Sequence, residues 1–315
     1  MGNNIRITDR DIMLLEFLAE YKIMSLDNTR YVYGTVQYQE KRIVALVKHD
    51  YIKRLKHRHI ALGIKGKQYL TFLEVDIKQH CRNSNNIERL RIISDVASFA
   101  NFKESISFVP SWRLKSIDSP TTHSRRYIGV VNIEGTDILT YSIYGNKTKR
   151  YITSLHYDIK RECDYEHIIV FTNDVKELMY RKKKFSFDTT KKNVFLVDYT
   201  DYKKFILRNY LTIKRAIADN IRCKFVHYES GLRKVGELLD DGRFLNVMPL
   251  MEFEAIDTMK HYFSQGYYDN KSVNIICLEE DKKIIQEYIP EVNCFGLNKQ
   301  EIYSLINGQK IELPF

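Results

Sequence analysis

The residues best equipped for chemistry in this chain are cations. Between Lys41 and Lys67 nine Lys or Arg side chains face a single acid, Asp50, a net +8 within a whole-chain net charge of +10. In YIKRLKHRHIALGIKGKQYL (51–70) six residues are Lys or Arg and two are His, yet apolar residues recur throughout. Charge focused in this way suits a surface that tracks phosphates better than it suits a generally basic protein. Lys53, Arg54, Lys56, Arg58, Lys65 and Lys67 are the candidates for positioning contacts of this kind. The alternative is a solvated face on a protein-docking module.

Other chemistry finds little support. No phosphate-cradling G-x-x-x-x-G-K-[ST] or G-x-G-x-x-G occurs, and no G-x-S-x-G or H-E-x-x-H. His57 and His59 form an H-x-H on a predicted strand, where alternation places both on one face, but a metal site needs more ligands than these two. The five cysteines (Cys81, Cys163, Cys223, Cys277, Cys294) are scattered and never form C-x-x-C, which reads as buried free thiols in a reduced, cytoplasmic setting. The 22 tyrosines read as strand and core residues, and the acids Asp240-Asp241 and Glu279-Glu280-Asp281 as solvated turns. No catalytic residue, metal or cofactor is expected. A second basic run, Arg181 to Lys184 with Lys191 and Lys192, is either a solvated helix end or another DNA-backbone contact. Arg113, Lys115, Arg125 and Arg126 beside Trp112 and Tyr127 form a cation–aromatic set that could face nucleic acid, although packing of the lone Trp is the simpler reading.

These residues must be held by a fold. A chain of 315 residues has room for two or three domains, and 44% apolar with 29% charged content is ordinary for a globular protein. No apolar run approaches the roughly 20 residues of a membrane span. MGNNIRITDRDIM lacks an apolar signal core, and Arg6 stands where the myristoylation pattern needs Ser or Thr.

ITDRDIMLLEFLAEY predicts a helix with Thr8 as N-cap and acids in its first turn. SLDNTRYVYG predicts a short second helix from an N-cap at Ser25 to Gly34, and TVQYQEKRIVALVKHD a third. In that third helix Val36, Ile43, Val44 and Val47 are expected to face inward, with Gln37, Tyr38, Gln39, Lys41, Arg42 and Lys48 outward. YIKRLKH and HIALGI then read as two strands around a basic Lys56-His57-Arg58 turn, and a further helix follows Ile64. This is a winged helix-turn-helix order, with cations on a two-stranded wing. The third helix would enter the major groove, making Thr35, Gln37, Tyr38, Gln39, Lys41 and Arg42 base-edge or phosphate candidates. ALGIKGKQYL resembles the wing-closing Leu-Thr-x-x-Gly-x-x-x-Leu phrase of that superfamily, with Gly63 at the usual Thr.

The expected organisation is a winged helix over 1–74, a connecting helix within 75–105 and an α/β region over 106–315, either one large domain or two fused units with a break near 193. From Ile87 to Thr172 the predicted order is helix, three strands, helix, strand, which resembles a restriction-endonuclease-like core; strands and helices then alternate to the end. Domain order, with ITDRDIMLLEFLAEY and GIKGKQYL, is similar to the replication-relaxation family of mobile-element proteins, which includes plasmid relaxase-like members. The resemblance implies double-stranded DNA as partner, with other replication or transfer proteins, and a role in initiating plasmid replication or conjugation. A nuclease of that core would carry Asp on its second strand and Glu-x-Lys on its third. RRYIGVVNI has no acid before Glu134, and DILTYSIYG offers only Asp137, so the chain departs from that pattern and catalysis is not expected. A metal-dependent nickase and a winged-helix transcriptional regulator are the alternatives.

Overall fold

A computed structural model describes residues 5–77, 87–102, 106–114, 126–143, 149–161, 164–173, 175, 178, 193–221, 225–226, 237–268 and 271–313. The protein is α/β with mixed sheets, and its compact units are Met1–Asp137 and Ile138–Phe315.

The first unit opens with α1 (Asp9–Tyr21), which starts where the sequence predicts. Thr8 is extended, and its backbone N–H and hydroxyl both donate to the Asp11 carboxylate at 2.7 Å. Leu14, Leu15 and Leu18 form the buried stripe of the helix. The predicted second helix is broken into smaller pieces. Strand β1 (Met24–Ser25) and a 3-10 turn (Asp27–Thr29) precede a single turn, α2 (Arg30–Tyr33). Ser25 therefore does not cap an α-helix; it pairs with His59, and its hydroxyl accepts the Asn28 N–H at 3.3 Å to open the 3-10 turn. A strand of two residues exists only because its partner arrives from far along the chain, which no local capping signal reports. Gly34, at φ +83, turns the chain into α3 (Val36–Lys48).

Strands β2 (Ile52–Leu55) and β3 (His59–Leu62) pair antiparallel as predicted, and the sheet order is β1-β3-β2. His57 and Arg58 both adopt φ 58 in the intervening turn. His57 thus lies in the turn and does not share a strand face with His59. Helix α4 (Ile64–Phe72) closes this region. The Gly63 and Gly66 positions explain how closely it does so. A Cβ at Gly63 would lie 2.2 Å from the Asp50 carbonyl oxygen, and one at Gly66 would lie 2.1 Å from that of Tyr51. The usual Thr could not stand at 63 here, because the chain entering β2 occupies its place.

Helix α5 (Ile87–Ala100), strand β4 (Ile106–Pro110), the turn α6 (Ser111–Leu114) and strand β5 (Gly129–Ile133) complete the unit, with β4 and β5 antiparallel. They are bonded directly to the N-terminal elements. The Tyr21 hydroxyl donates to the Phe108 carbonyl at 3.1 Å, the Asn101 amide donates to that hydroxyl at 2.6 Å, and the Ser94 hydroxyl donates to the Ile23 carbonyl. Residues 75–137 therefore share a unit with the first seventy-odd.

In the second unit β6 (Thr136–Ile143) is followed by α7 (Lys149–Arg161), β7 (His167–Thr172) and β8 (Asn193–Asp198), and the three strands run parallel. YKKFILRNYLTIKRAIA reads by sequence as one helix, but the structure has two, α8 (Asp201–Arg208) and α9 (Tyr210–Asn220), parted at Asn209, whose amide donates to the Phe205 carbonyl at 2.8 Å. Next come β9 (Phe225–Val226), β10 (Glu237–Leu239), β11 (Phe244–Met248), β12 (Met251–Glu252), α10 (Phe253–Ser264), β13 (Val273–Leu278), α11 (Glu279–Tyr288), β14 (Asn293–Leu297) and α12 (Lys299–Ile306). The short β12 pairs antiparallel with β8. The other strands form a second sheet, ordered β14-β13-β11-β10-β9, parallel on its first side and antiparallel on its second. The alternation predicted from sequence is thus present as mixed α/β layers.

Asp281 is not a solvated turn residue. It is buried and accepts from Lys203, itself only 3% exposed, which also lies 3.1 Å from Glu280, so the pair fastens α8 to α11. Burial pushes the Asp281 carboxyl up, against the pull of Lys203. Cys277 and Cys294 are buried free thiols on adjacent strands, while Cys81, Cys163 and Cys223 lie outside the described residues. Among the described residues no helix is long and apolar enough to cross a membrane.

Two substitutions check this packing by urea unfolding. Gly66→Ala should cost about 1–3 kcal/mol, since the clash is with backbone and cannot be relieved by a side-chain rotation. Lys203→Met should cost about 3–5 kcal/mol by leaving Asp281 buried without its cation, and adding Asp281→Leu should recover most of that loss.

Candidate nucleic-acid interface

The exposed face of α3 matches apolar periodicity in part: Ile43 is buried and Gln37, Tyr38, Lys41 and Lys48 are exposed as expected, but Val36 and Val44 face outward while Gln39 and Arg42 turn inward. Gln39, Ile43 and Leu46 are its buried residues, whereas Val36 is 63% and Val44 55% exposed. The helix is rotated about its axis relative to expectation, and polar side chains decide the rotation. The Gln39 amide donates to the Leu26 carbonyl at 2.7 Å. Arg42 lies across the N-terminus of α1, where its Nε donates to both Asp11 oxygens at 2.8 and 3.0 Å and its Nη2 donates to the same carboxylate and to the Arg6 carbonyl. Asp11 is fully buried, Arg42 is 15% exposed, and the Tyr33 hydroxyl adds a further bond to Asp11 at 2.8 Å.

The cost of burying Asp11 is therefore offset by five donor groups from three residues. Burial alone would raise its carboxyl, but Arg42, Thr8 and Tyr33 outweigh that and hold it below its ordinary value. The same contact raises Arg42, and burial next to Asp11 raises the Tyr33 phenol. Gln39 and Arg42 thus leave the set of base-edge candidates, because their donors are already satisfied inside the unit.

The other sequence candidates stay at the surface. Thr35 caps α3 and is exposed, as are Gln37 and Lys41; Tyr38 is half exposed and meets Tyr33 edge-on at 5.8 Å. Lys53, Arg54 and Lys56 are exposed on the β2–β3 hairpin, and Lys65 and Lys67 on α4. Arg58 is exposed but lies 3.0 Å from Asp27. Among the described residues no carboxylate pairs with Lys41, Lys53, Arg54, Lys56, Lys65 or Lys67. Both α3 and α4 pack on β2, which makes the bearers of these cations neighbours. Sequence reasoning missed Arg10, whose guanidinium donates to the Tyr33 carbonyl at 2.9 Å beside the turn into α3, and it missed the two exposed valines. A register centred on Gln39, Ile43 and Leu46, at i, i+4 and i+7, was the available signal.

The remaining candidates have structural uses or fall outside the described residues. His59 Nδ1 lies 2.6 Å from the His57 carbonyl, and burial lowers its pKa. Arg113 and the Trp112 indole both bond to Glu20, at 2.7 and 3.1 Å, and Tyr127 is buried, so this predicted cation–aromatic set is packed. Lys115, Arg125, Arg181 to Lys184, Lys191 and Lys192 lie outside the described residues. Strand β5 carries no acid, and Asp137 at the start of β6 accepts from the Asn132 amide at 2.7 Å. Among the described residues no group of three or more His, Cys, Asp or Glu side chains could hold a metal ion.

No family model, curated protein or solved structure matches this chain.

The Asp11 contact has a pH signature. With its folded pKa held below the ordinary value of 3.8, the carboxylate contributes stability that is complete above 3.8 and lost as pH falls on through the lower folded pKa. Asp11→Asn should lower stability by about 2–4 kcal/mol at neutral pH, with the gap from wild type closing toward pH 3, as urea titrations at both pH values would read.

Proposed function

We propose that the chain binds double-stranded DNA through a winged helix-turn-helix, with α3 in the major groove and the β2–β3 hairpin as the wing on the phosphates. The observation that carries this reading is the set of six exposed cations, on α3, the hairpin and α4, that no carboxylate among the described residues neutralises. Cations left unpaired on neighbouring elements repel one another unless a polyanion joins them, and a duplex supplies phosphates at regular spacing. The element order and the β1-β3-β2 sheet support the winged-helix assignment.

The wider role rests on the resemblance of ITDRDIMLLEFLAEY and GIKGKQYL to replication-relaxation proteins. On that basis the protein acts in the cytoplasm, in initiation of replication or conjugative transfer of a bacterial mobile element. Unit one selects the DNA, and unit two organises the other replication or transfer proteins. No catalytic step is assigned to it.

Replacing Lys53, Arg54 and Lys56 with Ala together should weaken binding to unrelated duplexes alike. The slope of log affinity against log salt should fall by about 0.9 for each phosphate contact removed. Fluorescence anisotropy over a salt series reads both. An unchanged slope would exclude the hairpin from the interface.

A further inference from the structure

The rotation of α3 changes what the helix can read. Its outward stripe is Gln37, Lys41, Val44 and Lys48, at i, i+4, i+7 and i+11, with Val36 at the N-terminal tip and the exposed acid Glu40 beside it. Arg42, the only Arg of the helix, is held by Asp11, and Gln39 by Leu26. The strongest guanine reader is thereby removed, and Lys41 is the remaining cation of the first two turns. Two β-branched apolar side chains, solvated at 63% and 55%, stand on a helix that also exposes Lys41, Lys48 and the acid Glu40.

We infer that α3 reads A·T pairs, with the Val36 and Val44 methyls against thymine C5-methyl groups and the Gln37 amide bidentate on adenine. This rests on the duplex-binding reading above. The chemistry of each partner matches: an apolar side chain gains by covering the one methyl that the major groove displays, and a carboxamide pairs with the N6 and N7 edge of adenine. The surrounding charge selects the occupant, since an apolar protein surface would not offset the six cations while a duplex does. Geometry permits both valines to act. Val36 and Val44 are eight residues apart, about 12 Å along the helix axis, which spans about three and a half steps of a duplex rising 3.4 Å per pair.

The test compares the full-length protein with its Val36→Ser/Val44→Ser variant. Ser and Val have similar helix propensity and both positions are exposed, so the fold should hold, which circular dichroism would check. The probes are an alternating A·T duplex, the same duplex with deoxyuridine for thymidine, and a G·C duplex of equal length. Wild type should prefer the A·T duplex and lose roughly fourfold in affinity per contacted methyl on the uracil duplex, the size expected for one buried methyl. The variant should bind the thymine and uracil duplexes equally. Wild type binding duplexes without separating thymine from uracil overturns the inference and leaves DNA binding intact. So does a variant that keeps the discrimination, or one that changes self-association in sedimentation while keeping it. Failure of wild type to bind any of the three at low salt overturns the proposed function itself.

Discussion

The Asp11–Arg42 contact is the constraint on which the N-terminal region depends. A carboxylate buried without partners would cost several kcal/mol, so the sequence at the start of α1 is tolerable only if donors converge on it. Thr8 supplies two from its own turn, Tyr33 one from α2, and Arg42 reaches it from α3. Three helices meet at one anion. Because a guanidinium engages a carboxylate in a planar, two-pronged geometry, the contact fixes how α3 is turned as well as where it lies.

That orientation decides which side chains stay outside. With Arg42 directed to Asp11 and Gln39 to Leu26, Ile43 and Leu46 face the core, and Gln37, Lys41 and Val44 face solvent. The hairpin is placed with comparable firmness. Its first strand lies under α3 and α4, and two glycines allow α4 to approach the chain at Asp50 and Tyr51 more closely than any Cβ would permit. Apart from Lys56 in the hairpin turn, the unpaired cations are therefore mounted on helices and a strand, which lowers the ordering cost of meeting a rigid polyanion.

Beyond residue 77 the same unit continues through α5, β4 and β5, stitched to α1 and β1 by Tyr21, Asn101, Ser94 and Glu20. Its sheet pairing and the parallel runs of the second unit follow a pattern visible in the chain: β-branched runs such as IIVFT and VNIICL separated by amphipathic stretches. Local signals also located α1 to within its cap and the β2–β3 turn. They failed at Ser25, at Asn209 and at Asp281, where a distant strand, a side chain bonding back to its own helix and a buried lysine respectively set the outcome.

For the candidate site the division is sharper. The amino-acid sequence by itself determined that positive charge gathers between Lys41 and Lys67, that helices and a basic hairpin carry it, and that strands alternate with helices afterwards, because composition and periodicity are properties of neighbours along the chain. It could not determine the rotation of α3. Two registers, one through Val36, Ile43, Val44 and Val47 and one through Gln39, Ile43 and Leu46, fit that helix about equally well. The choice between them belongs to Asp11, which lies thirty-one residues before Arg42 and contacts it only once the chain has folded. A buried charge and its partner form a through-space pair, and only tertiary structure states which arginine is held inside and which valines are left outside.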